Sequence, residues 1–217
     1  MKSKFLYGAG LLILFAVSLG ASYMFFWSDP DWRTNADTAS HGIDPDGNPW
    51  IGAKNPKLVI HEYLDYACPH CPAAHRLLRS KIAKHLDRIR LVRHDYARRR
   101  CVVEQANHKI EKYCPLVRAA YCASKQISYW QWNDAAVEAP PFELNMAYPE
   151  YIQHMLKKEN LSKDKFEKCY DSKDAAMKAQ QFYEDARKAR VSGTPTYIVD
   201  GQAYTLSGVL KIISENH

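Results

Sequence analysis

The chain has 217 residues, 47% of them hydrophobic and 25% charged, with a formal net charge of +6. Nine glycines and eleven prolines exclude collagen-like and low-complexity classes, and the length suits one domain with an elaboration or two small ones. The mild basic excess is spread along the chain and does not indicate a nucleic-acid partner. Six cysteines are too few for a disulfide-built miniprotein and more than a reducing compartment usually leaves unexplained.

From Phe5 to Trp27 runs an apolar stretch of 23 residues without charge or proline. As a helix it reaches about 34 Å, enough to cross a hydrocarbon core of about 30 Å. Lys2 and Lys4 precede it and Asp29 and Asp31 follow, so the positive-inside rule places the remainder outside the cytoplasm. A cleaved signal peptide is the alternative, although its apolar region is usually shorter. Residues 1–27 are therefore read as a membrane anchor or uncleaved signal. Residues 28–56, rich in Pro, Gly, Asp and Asn, read as a tether and irregular lead-in. Within them Asp44, Asp46 and Asn48 resemble the start of a calcium loop, but Pro49 and Asn55 stand where that loop needs Gly and Glu, so a turn is expected.

The exported domain spans 57–217. Leu58–Leu64 is a strand candidate, followed by a helical pattern from Pro69 to about Leu86 whose apolar stripe is Ala73, Leu77, Leu78, Ile82 and Leu86. Ile89–Asp95 reads as a second strand. A helical block follows over about 97–190, with pieces at Pro115–Gln126, Tyr148–Lys158, Ser162–Tyr170 and Asp174–Ala189. Ser162 and Ser172 stand where helix caps are expected. The aromatics Tyr129, Trp130, Trp132 and Phe142 are expected to pack this block. Thr196–Val199, a turn at Asp200-Gly201, Gln202–Tyr204 and a helix from about Ser207 close the chain. This order predicts an α/β fold, one sheet interrupted by a helical insertion. Arg98, Arg99 and Arg100, with Arg93 nearby, read as solvated surface.

Cys68-Pro69-His70-Cys71 lies where a strand gives way to a helix. A thiol there faces the unpaired N–H groups and positive end of the helix, which favours thiolate and makes the sulfur a good leaving group. His70 adds a donor or positive charge beside it, and Pro69 suits a first helical turn. A zinc site would need two further ligands. His61 and His75 are nearby, but no second cysteine pair of this spacing exists, and neither a metal nor a cofactor is expected.

HEYLDYACPHC, followed far downstream by GTPTYIVDGQ, resembles the DsbA-like branch of the thioredoxin superfamily over roughly residues 49–217. The resemblance implies a thioredoxin-like fold with a helical insertion. It makes Cys68 the exposed attacking cysteine and Cys71 the buried resolving one. Thr194-Pro195 becomes a cis-proline loop that packs against the disulfide and pairs with an extended client segment. Glu62, six residues before Cys68, matches an acidic residue beneath the active site that influences proton transfer at Cys71; the alternative is a salt-bridged strand residue. Tyr66, beside Cys68, is a candidate for touching substrates. Among the remaining cysteines, the resemblance implies structural pairs Cys101–Cys114 and Cys122–Cys169, with free buried thiols as the alternative for Cys122 and Cys169.

The expectation is a membrane-tethered thiol:disulfide oxidoreductase in the bacterial periplasm or at the cell exterior, most simply an oxidase of exported proteins with free thiols. The resemblance supplies a membrane redox partner of the DsbB or VKOR type. Thr194, which also precedes the cis proline in isomerase and reductase branches, keeps those directions open. A redox-inert assembly or metal-delivery subunit is the rival from another class.

Overall fold

The computed structural model describes residue 32, residues 39–98 and residues 115–215. The Phe5–Trp27 segment, Arg99, Arg100, and the Cys101–Cys114 pair lie outside the described residues. Among those described, no helix is long and apolar enough to cross a membrane.

Six strands form one sheet: β1 (His41–Ile43), β2 (Pro49–Gly52), β3 (Leu58–Leu64), β4 (Ile89–Asp95), β5 (Thr196–Val199) and β6 (Gln202–Tyr204), in the order β1-β2-β4-β3-β5-β6. Only β3 and β4 run parallel, as expected for strands joined by a helical crossover. That crossover is α1 (Cys71–Ile82), ending in a 3-10 turn at Ala83–His85. The helix starts two residues later than expected: His70 is its N-cap, Pro72 occupies the first turn, and Pro69 stays in the preceding turn. Its buried face also differs from the expected stripe. Cys71, Ala74, His75, Leu78, Arg79 and Ile82 face inward while Leu77 is 39% exposed and Ala73 is exposed. Two polar side chains occupy inward positions, so apolar periodicity misplaces the face.

The lead-in is not irregular throughout. β1 and β2 form a hairpin, and β2 pairs with β4 through Trp50↔Val92 and Gly52↔Arg90. Gly52 (φ +113°) lies so close to β4 that a Cβ there would overlap the Ile89 carbonyl oxygen, which requires glycine. The Asp44–Asn48 segment is a turn, with Asp44 Oδ1 accepting from the Asn48 backbone N–H at 2.7 Å.

The insertion contributes α2 (Pro115–Ala123), α3 (Tyr129–Glu138), α4 (Tyr148–Lys158), α5 (Lys163–Tyr170) and α6 (Lys173–Lys188); α7 (Leu206–Glu215) ends the fold. Ser162 and Ser172 cap α5 and α6 by accepting from Lys165 and Ala175 N–H. α3 is not among the helices expected from the sequence, although the Ser128 side chain caps it by accepting from the Trp130 N–H. Trp130 and Trp132 are buried there, whereas Phe142 is 42% exposed beyond the helix end. One apolar cluster joins Ile60 and Leu91 of the sheet to Leu78 of α1, Trp132 of α3 and Met155 of α4. The insertion therefore shares the sheet's core. Cys122 and Cys169 are disulfide-bonded, tying α2 to α5 with Cα atoms 5.7 Å apart.

Candidate active site

Cys68 and Cys71 sit at the carboxyl end of β3, where the turn after Leu64 delivers Cys68 and the first residue of α1 delivers Cys71. Leu64, Cys68 and Cys71 form a small apolar cluster of their own. Antiparallel pairing of β5 with β3 aligns Tyr63 with Thr196 and Glu62 with Tyr197, which carries the preceding Thr194-Pro195 loop to the sulfurs. The Thr194-Pro195 peptide bond is cis, and the Cys68 thiol donates to the Thr194 carbonyl oxygen at 3.4 Å.

Cys68 and Cys71 are both free thiols. Cys71 is fully buried, and burial pushes its thiol far up. Cys68 is 7% exposed, so the expected open nucleophile is instead tucked under the cis-proline loop. Pro69 and His70, beside it, are exposed.

A closed polar ring of buried side chains joins the strand and the helix that flank the pair. Glu62 Oε2 is 2.6 Å from His75 Nδ1, and His75 Nε2 is 3.1 Å from the Asn133 amide nitrogen. The Tyr66 hydroxyl contacts Asn133 Oδ1 at 3.2 Å and the Tyr129 hydroxyl at 3.1 Å. Tyr129 donates to Asp95 Oδ1 at 2.7 Å. Arg93 closes the ring, 3.2 Å from Asp95 and 3.5 Å from Glu62. The ring thus draws on β3, α1, α3 and β4. Burial alone would raise the Glu62 carboxyl, but His75, Arg93 and Arg79 together hold it below its ordinary value. Glu62 Oε1 is buried without a hydrogen-bond partner among the described residues.

Two expectations change here. Tyr66 is 4% exposed with its hydroxyl in the ring, so it faces the core rather than a substrate. Arg93 is fully buried between two carboxylates instead of lying on a solvated surface. Arg98 is partly exposed and pairs with Asp65 at 2.9 Å. Asp65 also accepts from the Ala67 N–H at 2.8 Å, shaping the turn into Cys68. Glu62 is salt-bridged, as one of the two readings offered for it requires, and it shares a sheet face with Leu64, which packs against both cysteines.

Sequence reasoning missed His75, Arg93, Asp95, Tyr129 and Asn133 as members of the site. His75 had a legible signal: four residues after Cys71, it falls on the same helix face. His61 lies on the other sheet face, with its Nδ1 2.9 Å from His94 Nε2 in a cavity of about 620 Å³ that Tyr63 and Asp200 also line. Among the described residues, no group of three or more His, Cys, Asp or Glu side chains is arranged to hold a metal.

A family model described as thioredoxin matches residues 45–214. Among solved structures, the chain is similar to a thioredoxin-like oxidoreductase from Silicibacter pomeroyi DSS-3, at TM-score 0.62 and 18% identity over 80% of this chain and 92% of that one. It is also similar to the thiol-disulfide exchange protein alpha-DsbA2 from Wolbachia pipientis, at TM-score 0.59 and 16% identity over 92% and 97% of the two chains. A curated relative, Na(+)/H(+) antiporter NhaA 3 of Salinispora tropica, is 25% identical over 168 residues, 75% of this chain and 23% of that protein. The chain spans roughly a quarter of the curated relatives it matches.

Proposed function

Starting from a chain that belongs to the thioredoxin family, we propose that it is a thiol:disulfide oxidoreductase, that Cys68 and Cys71 are its redox pair and that it runs as an oxidase of exported proteins. The observation that carries this reading is the pairing of a fully buried Cys71 with a Cys68 seated at the head of α1 against the Thr194 carbonyl. In the oxidised form a client thiolate attacks the Cys68 sulfur. The Cys68–Cys71 bond breaks, and Cys71 leaves as a thiolate that must gain a proton in its buried site. A second client thiolate then attacks the client sulfur of the mixed disulfide and expels Cys68. The client loses two electrons and the cysteine pair holds them.

Glu62 would exchange the proton with Cys71: its Oε1 is buried with no hydrogen-bond partner among the described residues, and it shares a sheet face with Leu64, which packs against both cysteines. Thr194 and Pro195 offer backbone groups to an extended client segment beside β5, while His70 and Pro69 line the approach. The Phe5–Trp27 segment would hold the domain at the outer face of the bacterial inner membrane, near a quinone-linked acceptor of the DsbB or VKOR type that re-forms the disulfide. A periplasmic or extracellular setting accords with the Cys122–Cys169 bond.

The test is oxidation of a dithiol peptide by the pre-oxidised protein, followed by peptide mass and free-thiol count. One equivalent of peptide disulfide should form per protein, and Cys68→Ser should abolish it. Peptide that stays reduced beside an intact Cys68–Cys71 disulfide would overturn the oxidase reading.

A further inference from the structure

We propose that His75 is a positioning residue for the thiol chemistry, holding Glu62 so that only its Oε1 is open to the Cys71 proton, and that Asn133 of the insertion fixes the tautomer in which His75 does so. This rests on the reading that Glu62 exchanges a proton with Cys71.

Asp134 fixes which way the Asn133 amide faces. Its carboxylate is 3.5 Å from Arg79 and accepts from Asn133 Nδ2 at 3.0 Å. A carboxylate oxygen needs a donor, so the nitrogen side of the Asn133 amide is fixed on this side of the residue. The same nitrogen is 3.1 Å from His75 Nε2, and an amide NH₂ has only protons to offer. Nε2 must therefore present its lone pair, which puts the ring proton on Nδ1, 2.6 Å from Glu62 Oε2. Tyr66 donates to the oxygen side of the same amide, consistent with this orientation.

Every group facing Glu62 fits this assignment. From α1 come His75 and the more distant Arg79, from β4 Arg93, and from β5 Tyr197, its cross-strand partner. His75 and Arg93 both engage Oε2, leaving Oε1 without a hydrogen-bond partner among the described residues. Around His75 the remaining neighbours are aromatic: the Trp130 ring centroid is 6.4 Å away and that of Trp32 6.0 Å. Cys71 and His75 share one face of α1 a single turn apart, so the same helix carries the acid and the clamp on its acceptor. The step balances as Cys71 S–H plus Glu62 carboxylate giving Cys71 thiolate plus Glu62 carboxylic acid. The Cys71 thiolate then attacks the Cys68 sulfur of a mixed disulfide, forming the Cys68–Cys71 bond and expelling the client sulfur as a thiolate.

Two measurements decide the matter. The first is the ¹⁵N imidazole spectrum of the wild-type chain, which should show His75 protonated at Nδ1 and bare at Nε2; the opposite tautomer overturns the assignment. The second is the pH profile of Cys71 attack on a preformed Cys68 mixed disulfide. His75→Leu should move the acid limb of that profile up by about one to two pH units, the range expected for losing a hydrogen bond to a buried carboxylate. At a fixed pH below the limb this is roughly a ten- to hundredfold loss of rate. His75→Gln, which can still donate to Glu62, should bring the limb back towards wild type, a rescue that a purely structural role would not give. Unchanged limbs in a folded His75→Leu protein overturn the inference while leaving the oxidase reading intact. A wild-type chain that exchanges no thiols removes the reading beneath it. Should His75→Leu fail to fold, the wild-type tautomer still decides.

Discussion

Removing the Cys122–Cys169 bond gives the most quantitative perturbation available. It closes a loop with a sequence separation of 47, joining α2 to α5 within the insertion. In the loop-entropy description a closure of that length constrains the unfolded chain by about 4 kcal/mol at 25 °C. Cys122 is fully buried, so replacement by alanine adds a packing loss and serine would bury a hydroxyl; alanine is the cleaner choice. The comparison is Cys122→Ala/Cys169→Ala against its parent, both carrying Cys68→Ser and Cys71→Ser to prevent thiol exchange. With a urea dependence of about 2–3 kcal/mol per molar, the unfolding midpoint should fall by roughly 1.3–2 M. A fall of less than about 0.5 M with an unchanged slope would refute the reasoning, because the bond would then constrain nothing that the packed helices do not already hold. Dithiol oxidation by the variant with Cys68 and Cys71 restored should persist, since neither cysteine of the staple touches the buried polar ring.

Three further outcomes follow from the geometry. Tyr66→Phe removes a buried hydroxyl bonded to Asn133 and Tyr129 and should cost about 1–2 kcal/mol in urea unfolding while leaving KM for a client peptide unchanged; a raised KM at unaltered stability would restore Tyr66 as a substrate contact. Arg93→Met strands Glu62 and Asp95 without their shared cation and should destabilise by about 3–5 kcal/mol, against which a loss below 1 kcal/mol would count. Burial pushes His94 down to about 3 from an ordinary 6.5, so between those values the unfolded chain binds a proton that the folded chain does not. Stability should therefore fall as pH drops through that window, by at most about 1.4 kcal/mol per pH unit from this residue. His94→Gln should flatten the slope, and parallel curves for the two proteins would contradict the assignment.

How much of this was legible in the sequence depends on what kind of interaction writes the signal. β3 and β4 announce themselves as short apolar runs, and the Cys68–Cys71 spacing marks the strand-to-helix turn. The GTPT segment marks the cis-proline loop through resemblance. β1 and β2 were invisible because their three and four residues lie among turn formers, and their pairing partner, β4, is distant in sequence. α3 carries Ser128 at its cap, yet its run of tyrosine and tryptophan among polar residues shows no clear stripe, since eight of its ten residues are buried. The ring was the hardest part to foresee. Hydrophobic patterning assigns His75, Arg79 and Arg93 to the surface, and only the packing of four separate elements turns them into partners for Glu62, Asp134 and Asp95. Glu62 was reached by resemblance alone, its company by none of the sequence signals.

The central claim is that the Cys68–Cys71 disulfide is given away rather than kept. Equilibrating the protein against glutathione buffers and quantifying the two cysteines by alkylation and mass measures their reduction potential directly. An oxidase requires a value at or above about −180 mV, towards the oxidising end occupied by DsbA at about −120 mV. A value near the −270 mV or so of thioredoxin would contradict the account and assign the chain to the reductive direction.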